Sequence, residues 1–367
     1  MGKMQRIIFW QNIISPHQID FLREISEIYD VALVIDELQD TYRKNDGWEI
    51  PDFSFLKMYV KPNAQVLNQL LQNREDVHVF SGIDSYPIVQ IGFNLAIKKK
   101  VRIALMSEPM DWVGIKGKLR YLKGVIQQIK YKSKIDFILA IGIKGRWWFQ
   151  KIRFSSEIIY DFGYFINVSN ELLSKESNVV DKKIIYVGRI NDNKGVFDLL
   201  EAAIPIINEF EVMEIYGRGE KLATLNNELS KPIYKGKVIY CGLVANEKIL
   251  KKINDSKLLV IPSKGKDGWG VVVNEALLLG VPVIASSNVG SSYLLDGINS
   301  GAIVEPNNIA SLSSNISEWL LKEINKNELS NFMHHRISPK IAAHYFKEIL
   351  DFTFHSSKRR PTAPWLK

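Results

Sequence analysis

A chain of 367 residues is long enough for two domains of ordinary size, and 46% hydrophobic with 24% charged residues is a globular composition. One cysteine, Cys241, excludes an intrachain disulfide framework and a Cys-rich zinc site, and six scattered His make no ligand cluster. The net charge of +8 is unevenly spread: residues 98–153 hold 15 Lys and Arg against the three acids Glu108, Asp111 and Asp136, so this stretch is +12 and the rest is −4. Such an excess asks for an anionic partner.

The opening MGKMQRIIFWQN has too short an apolar stretch for a signal peptide, and no run approaches the roughly 18–20 apolar residues of a membrane span. The expected setting is the reducing cytoplasm. Strands are expected at 6–10, 31–35, 77–80, 101–106, 136–140 and 157–160. Helices are expected after Pro16 and over 86–98, 116–131 and 144–152. The polar stretch 171–182 reads as a linker. Alternation then restarts, with strands at 183–187, 212–216, 237–240, 257–261 and 281–285. Helices follow at 195–209, from about 219, at 245–254 and at 271–279, and two more at 308–322 and 338–353 close the chain. Continuous apolar strands alternating with helices predict an α/β protein with two doubly wound parallel sheets. The predicted divisions are 1–170, the linker 171–182, 183–337, and a C-terminal helix and tail over 338–367. Ligands of such sheets bind outside the carboxyl ends of the strands, and two sheets facing one another make a cleft.

Four segments at predicted strand ends carry chemistry. In the first, Gly188 and Arg189 precede Asn193, Lys194 and Gly195. Two cations beside a helix start favour phosphate, although a turn with solvated charges reads the same way. In the second, Gly217 and Gly219 allow a tight turn against a nucleotide, or a plain loop. The third runs Asp267-Gly268-Trp269-Gly270, with Glu275 on the helix that follows. Carboxylates so spaced accept hydrogen bonds from sugar hydroxyls, or are ordinary acidic residues of a helix start. The fourth is a strand ending in Val289, Gly290, Ser291 and Ser292, a turn with backbone N–H groups to offer a diphosphate, or a plain turn.

The succession Gly-Arg…Lys-Gly, Gly-x-Gly, Pro-Ser…Asp-Gly-Trp-Gly-x4-Glu-Ala, Gly-x-Pro-Val-Ile-Ala-Ser and Gly-Ser-Ser resembles family 4 of the retaining glycosyltransferases, of the GT-B fold. The resemblance is specific over 183–306 and architectural over 1–170. It implies that Arg189 and Lys194 bind the donor diphosphate and that Glu275 holds the ribose hydroxyls. It further implies that Asp267 touches the donor sugar and that Val289, Gly290 and Ser291 give backbone bonds. Gly188, Gly217, Gly268, Trp269 and Gly270 complete the donor site. The C-terminal helix is expected to pack back on the N-terminal domain. Two departures stand out: Asp267 takes the place of the family's usual Glu, and Tyr293 stands where an acid is common.

The N-terminal domain would supply the acceptor side through Asn12, Ser15 and His17 after the first strand and Glu108 after the strand 101–106. Glu108 reads as an acceptor-orienting group or base, or as a loop salt bridge. The basic stretch 98–153, with Trp112, Tyr121, Trp147, Trp148 and Phe149, suits an anionic membrane surface, or is a solvated face over core aromatics. The reading is then a retaining hexosyltransferase, carrying sugar from a UDP- or GDP-sugar to a lipid-linked oligosaccharide for bacterial surface polysaccharide. It would work as a peripheral protein on the inner face of the cytoplasmic membrane. No cofactor, no essential metal and no nucleic-acid partner are expected, since Arg189 and Lys194 do the task of a metal ion. The competing readings are a nucleotide-sugar epimerase of similar architecture and a basic polyanion-binding protein without catalysis. An NAD-type oxidoreductase lacks its Gly-x-Gly-x-x-Gly after the first strand.

Overall fold

A computed structural model describes residues 5–38, 52–168, 182–296, 299–355 and 359–366. The chain forms two units, Met1–Ile166 together with Ser338–Lys367, and Asn167–Ile337. Of the expected linker, residues 171–181 lie outside the described residues.

The first unit is built on a seven-stranded parallel sheet. Its strands are β1 (Arg6–Trp10), β2 (Asp30–Ile35), β3 (Lys57–Val60), β4 (Val77–Phe80), β5 (Arg102–Ser107), β6 (Phe137–Ile141) and β7 (Ile159–Phe162). Their order is β3-β2-β1-β4-β5-β6-β7, reversing at β1 as a doubly wound sheet must. The inner strands are mostly apolar because helices cover both faces, and Ile7, Ile8, Phe9 and Trp10 of β1 are all buried. The crossovers are α1 (Pro16–Ser26), α2 (Ala64–Leu70), α3 (Pro87–Lys99), α4 (Gly114–Tyr131) and α5 (Ile143–Lys151). Pro16 and Pro87 stand in the first turns of their helices, where the missing N–H costs nothing.

The second unit repeats the plan with β8 (Lys183–Val187), β9 (Val212–Tyr216), β10 (Val238–Gly242), β11 (Leu258–Ile261), β12 (Val283–Ser286) and β13 (Gly301–Val304). All are parallel, in the order β10-β9-β8-β11-β12-β13. Its helices are α6 (Val196–Ala203), α7 (Leu222–Leu229), α8 (Asn246–Asn254), α9 (Val271–Leu278), α10 (Ile309–Leu321) and α11 (Lys326–Ile337). The last helix, α12 (Pro339–Phe354), belongs to the first unit and packs on α1, with Phe346 edge-on to Phe21 at 5.7 Å. Trp365 of the tail follows it there, 5.1 Å from Phe165.

Four described elements are absent from the sequence reading: β3, α2, β13 and α11. β3 and β13 are edge strands, half exposed, so neither has the continuous apolar run that marks an inner strand. The helix expected at 195–209 ends at Ala203, where Pro205 opens a separate turn over Ile204–Ile206.

Candidate active site

In the second unit the four motif segments leave the carboxyl ends of β8, β9, β11 and β12, and hydrogen bonds tie them together. After β8, the Tyr186 hydroxyl donates to the Arg189 carbonyl at 3.0 Å, fixing the turn that presents the exposed Arg189. After β9, Gly217 has φ +135°, and a Cβ there would lie 1.9 Å from the Gly188 carbonyl oxygen. Only glycine lets the two loops approach this closely. The Tyr240 hydroxyl then donates to the Gly217 carbonyl at 2.9 Å.

Lys194 is held by a short cap in which its N–H donates to Asn191 Oδ1 at 3.0 Å. From there its ammonium reaches Asp267 Oδ2 at 2.5 Å, and Ser263 Oγ donates to the same oxygen at 3.2 Å. The pair is shielded, with side-chain exposures of 29% for Lys194 and 11% for Asp267. A neighbouring cation, Lys264, pairs with the buried Asp198 at 2.5 Å.

The loop before α9 is clamped by the turn after β12. Asp267 and Val289 form a parallel bridge, with Asp267 N donating to Asn288 O at 3.1 Å. Gly290 approaches so closely that a Cβ on it would meet the Gly268 carbonyl oxygen at 1.9 Å. The Trp269 side chain is buried and donates through Nε1 to Asn274 Oδ1 at 2.8 Å. Glu275, one turn into α9, is buried too. Loss of hydration pushes its carboxyl up to about 7, against a hydrogen bond from Asn246 that lowers it.

Two expectations need correction. The turn Val289, Gly290, Ser291 was expected to offer backbone N–H groups to a diphosphate. These amides already donate, to Ser286 O at 3.0 Å, Asp267 O at 2.9 Å and Trp269 O at 2.8 Å, and Ser292 N follows to Val289 O at 3.0 Å. The turn is therefore a clamp on the Asp267 loop. The Trp269 side chain, expected in the donor site, is likewise internal and holds the loop. Gly268 and Gly270 border Trp269 in the same loop.

In the first unit, His17, Tyr164 and Glu108 come together from α1, the segment after β7 and the end of β5. Tyr164 OH donates to Glu108 Oε1 at 3.2 Å, and its ring lies 6.0 Å from the His17 ring. Asn12 serves through its carbonyl, which accepts from Asp36 N and Glu37 N, both at 3.0 Å. Ser15 precedes α1 without a side-chain cap bond. Sequence reading missed Tyr164, Ser263 and Asn246. Ser263 belongs to the Pro-Ser step already noted, whereas Tyr164 and Asn246 give no local signal. Among the described residues, no group of three or more His, Cys, Asp and Glu is placed to hold a metal ion.

Comparison with known proteins places this geometry. Residues 170–335 match the family described as Glycosyl transferases group 1. An uncharacterized glycosyltransferase of Methanocaldococcus jannaschii, MJ1178, is 29% identical over 211 residues, 52% of this chain and 56% of the relative. The lipopolysaccharide 1,2-N-acetylglucosaminetransferase of Salmonella typhimurium is 25% identical over 177 residues, 45% of this chain and 44% of the relative. The chain thus spans about half the length of these curated relatives. The crystal structure of Anabaena HepE in complex with UDP and glucose superposes with a TM-score of 0.70 at 12% identity, over 95% of this chain and 100% of that one. The fold is GT-B, two doubly wound α/β units. Within it, the segment that carries Lys194, Asp267 and Glu275 is the one matched by the glycosyl transferase family.

Proposed function

We propose that the chain is a retaining glycosyltransferase of family 4 that moves a hexosyl group from a UDP- or GDP-sugar to a hydroxyl of a lipid-linked oligosaccharide. The observation that carries this reading is the joining of Lys194 and Asp267 from the carboxyl ends of β8 and β11, with Glu275 buried on the helix that follows the Asp267 loop. Arg189 and Lys194 offset the charge that grows on the departing diphosphate, the largest electrostatic demand of the reaction. Glu275 accepts from the ribose hydroxyls, and Asp267 from the donor sugar once the diphosphate draws Lys194 away. No divalent ion is required, because the two cations take its part. Glu108, aligned by Tyr164, orients the acceptor hydroxyl. The HepE complex with UDP and glucose and the lipopolysaccharide-acting Salmonella relative favour a nucleotide-sugar donor and a surface-polysaccharide product. The basic stretch 98–153 favours work at the inner face of the cytoplasmic membrane.

The test is incubation of the purified protein with UDP- and GDP-sugars and a bacterial lipid extract. The reading expects sugar label in the lipid phase, with the anomeric configuration of the donor kept. Isomerisation of the nucleotide sugar without acceptor would instead identify an epimerase.

A further inference from the structure

Helix α4 turns its aliphatic side chains outward. Ile115 is 80% exposed, Leu119 63%, Leu122 57%, Ile126 57% and Ile129 64%. Spaced by four, three, four and three residues, they form one stripe along the helix. The opposite side, turned to the sheet, is made of the buried Gly117, Gly124, Gln128 and Tyr131. It is seated closely there: a Cβ on Gly124 would lie 2.8 Å from Ile152 Cγ2, and Gln128 Nε2 donates to Arg153 O at 2.8 Å. Val113, just before the helix, is 72% exposed. Exposed apolar side chains are ordinary singly, but five on one helix face are not.

Cations border the stripe on both flanks. Lys116, Lys123 and Lys130 run along one side and Lys118 and Lys132 along the other, all exposed; Lys123 is paired with Asp84 at 2.7 Å, and residues 112–135 themselves contain no acid. At its N-terminal end Trp112 and the part-exposed Trp147 lie ring to ring at 4.6 Å, the aromatic type that prefers a headgroup region. We infer that α4 is an interfacial helix whose aliphatic stripe is immersed in an anionic bilayer while its flanking lysines reach the lipid phosphates. The inference rests on the membrane-surface part of the reading above and adds an apolar anchor to what charge alone would supply.

The same spacing would suit a helix pair with a second copy. There, however, the flanking Lys116, Lys118, Lys130 and Lys132 would face like charges with no acid on the helix to match. Anionic lipid satisfies both the stripe and its borders. Among the described residues no helix is long and apolar enough to cross a membrane, so the helix lies along the surface.

The experiment is cosedimentation of the full chain with phosphatidylcholine vesicles, with and without phosphatidylglycerol, at low and high salt. Wild type is compared with a stripe variant, Leu119→Ser with Leu122→Ser and Ile126→Ser, and with a charge variant, Lys116→Gln with Lys118→Gln and Lys132→Gln. The stripe variant should bind anionic vesicles about 100-fold more weakly, with unchanged melting and unchanged affinity of the second unit for nucleoside diphosphate. Wild type should keep part of its binding at high salt, and the charge variant should lose mainly the salt-sensitive part. A fluorophore on Leu122→Cys, in a Cys241→Ser background, should shift to the blue on anionic vesicles. Equal binding by wild type and stripe variant, or an unshifted fluorophore, would overturn the immersed stripe and leave the electrostatic reading standing. No vesicle binding by wild type would remove both. A wild-type dimer that the stripe variant dissolves, without vesicle binding, would assign the surface to a second copy instead.

Discussion

Lys194 Nζ lies 2.5 Å from Asp267 Oδ2, so the cation assigned to the donor diphosphate and the carboxylate assigned to the donor sugar neutralise one another. The two arrive from different strand ends, β8 and β11, and Ser263 holds the carboxylate in place. On the proposed function, a diphosphate would compete with Asp267 for Lys194, and the displaced carboxylate would be released toward the sugar. Binding and alignment of the donor are in this way one exchange of partners.

Substitution should separate the two roles. Asp267→Asn frees the ammonium, so affinity for the nucleoside diphosphate alone should rise a few-fold. Turnover should fall by about 100-fold, since a positioned charged partner is lost. Lys194→Ala should weaken diphosphate binding and turnover together. Calorimetry and initial rates on both variants check this. Tighter binding in Asp267→Ala than in Asp267→Asn is also expected, because the smaller side chain offers nothing to the ammonium.

Glu275 predicts a pH dependence. An exposed Glu ionises near 4.5, whereas this carboxyl holds its proton to about 7. Between those values the unfolded chain has released a proton that the folded chain keeps, so stability falls as pH rises through the interval and is level above it. The cost above pH 7 is about 3 kcal/mol. Glu275→Gln should therefore recover much of that at about pH 8 and almost nothing at about pH 4, as read by denaturant unfolding. The ionised carboxylate is the form that accepts from ribose hydroxyls, so nucleotide affinity should rise about tenfold from about pH 6 to pH 8 in wild type and stay flat in Glu275→Gln.

The clamp at Gly290 predicts an effect on the donor without any direct contact. Gly290→Ala drives a methyl group into the Gly268 carbonyl and must push the Asp267 loop away. A loss of about 2 kcal/mol in stability is expected, with a donor KM raised more than kcat is lowered. An unchanged KM would show that the loop does not carry the donor contact.

On the acceptor side, Glu108→Gln should lower kcat by about 100-fold while leaving nucleoside diphosphate affinity unchanged. Tyr164→Phe removes the 3.2 Å bond to Glu108 and should cost less, about tenfold, with the acceptor KM moving rather than the donor KM. Steady-state kinetics with each substrate varied in turn measures both.

What could be read from the sequence follows from what is local. The inner strands β1, β8 and β11 announce themselves because burial on both faces demands unbroken apolar runs, while β3 and β13 escape because an edge strand does not. Lys194 and Asp267 could be marked as charged residues at strand ends. Their pairing, and that of Tyr164 with Glu108, depends on tertiary closure that no spacing reports. The turn around Gly290 suggests open backbone donors, and only the fold shows those of Gly290 and Ser291 spent on the loop opposite and those of Val289 and Ser292 within the turn. The basic stretch marked α4 by its charge but not by the direction its sides would turn, and its glycines, too small to count as apolar signal, proved to be part of the inward side.

The most direct test of the account is calorimetric titration of UDP, GDP, ADP and dTDP into the wild-type chain, Glu275→Ala and Lys194→Ala, with and without Mg²⁺. The account predicts micromolar binding of one diphosphate by wild type, indifferent to Mg²⁺ and weakened about tenfold or more in both variants. Binding of none of the four by a folded wild-type chain, or equal binding by all three proteins, would contradict the assignment of the donor site to Lys194, Asp267 and Glu275.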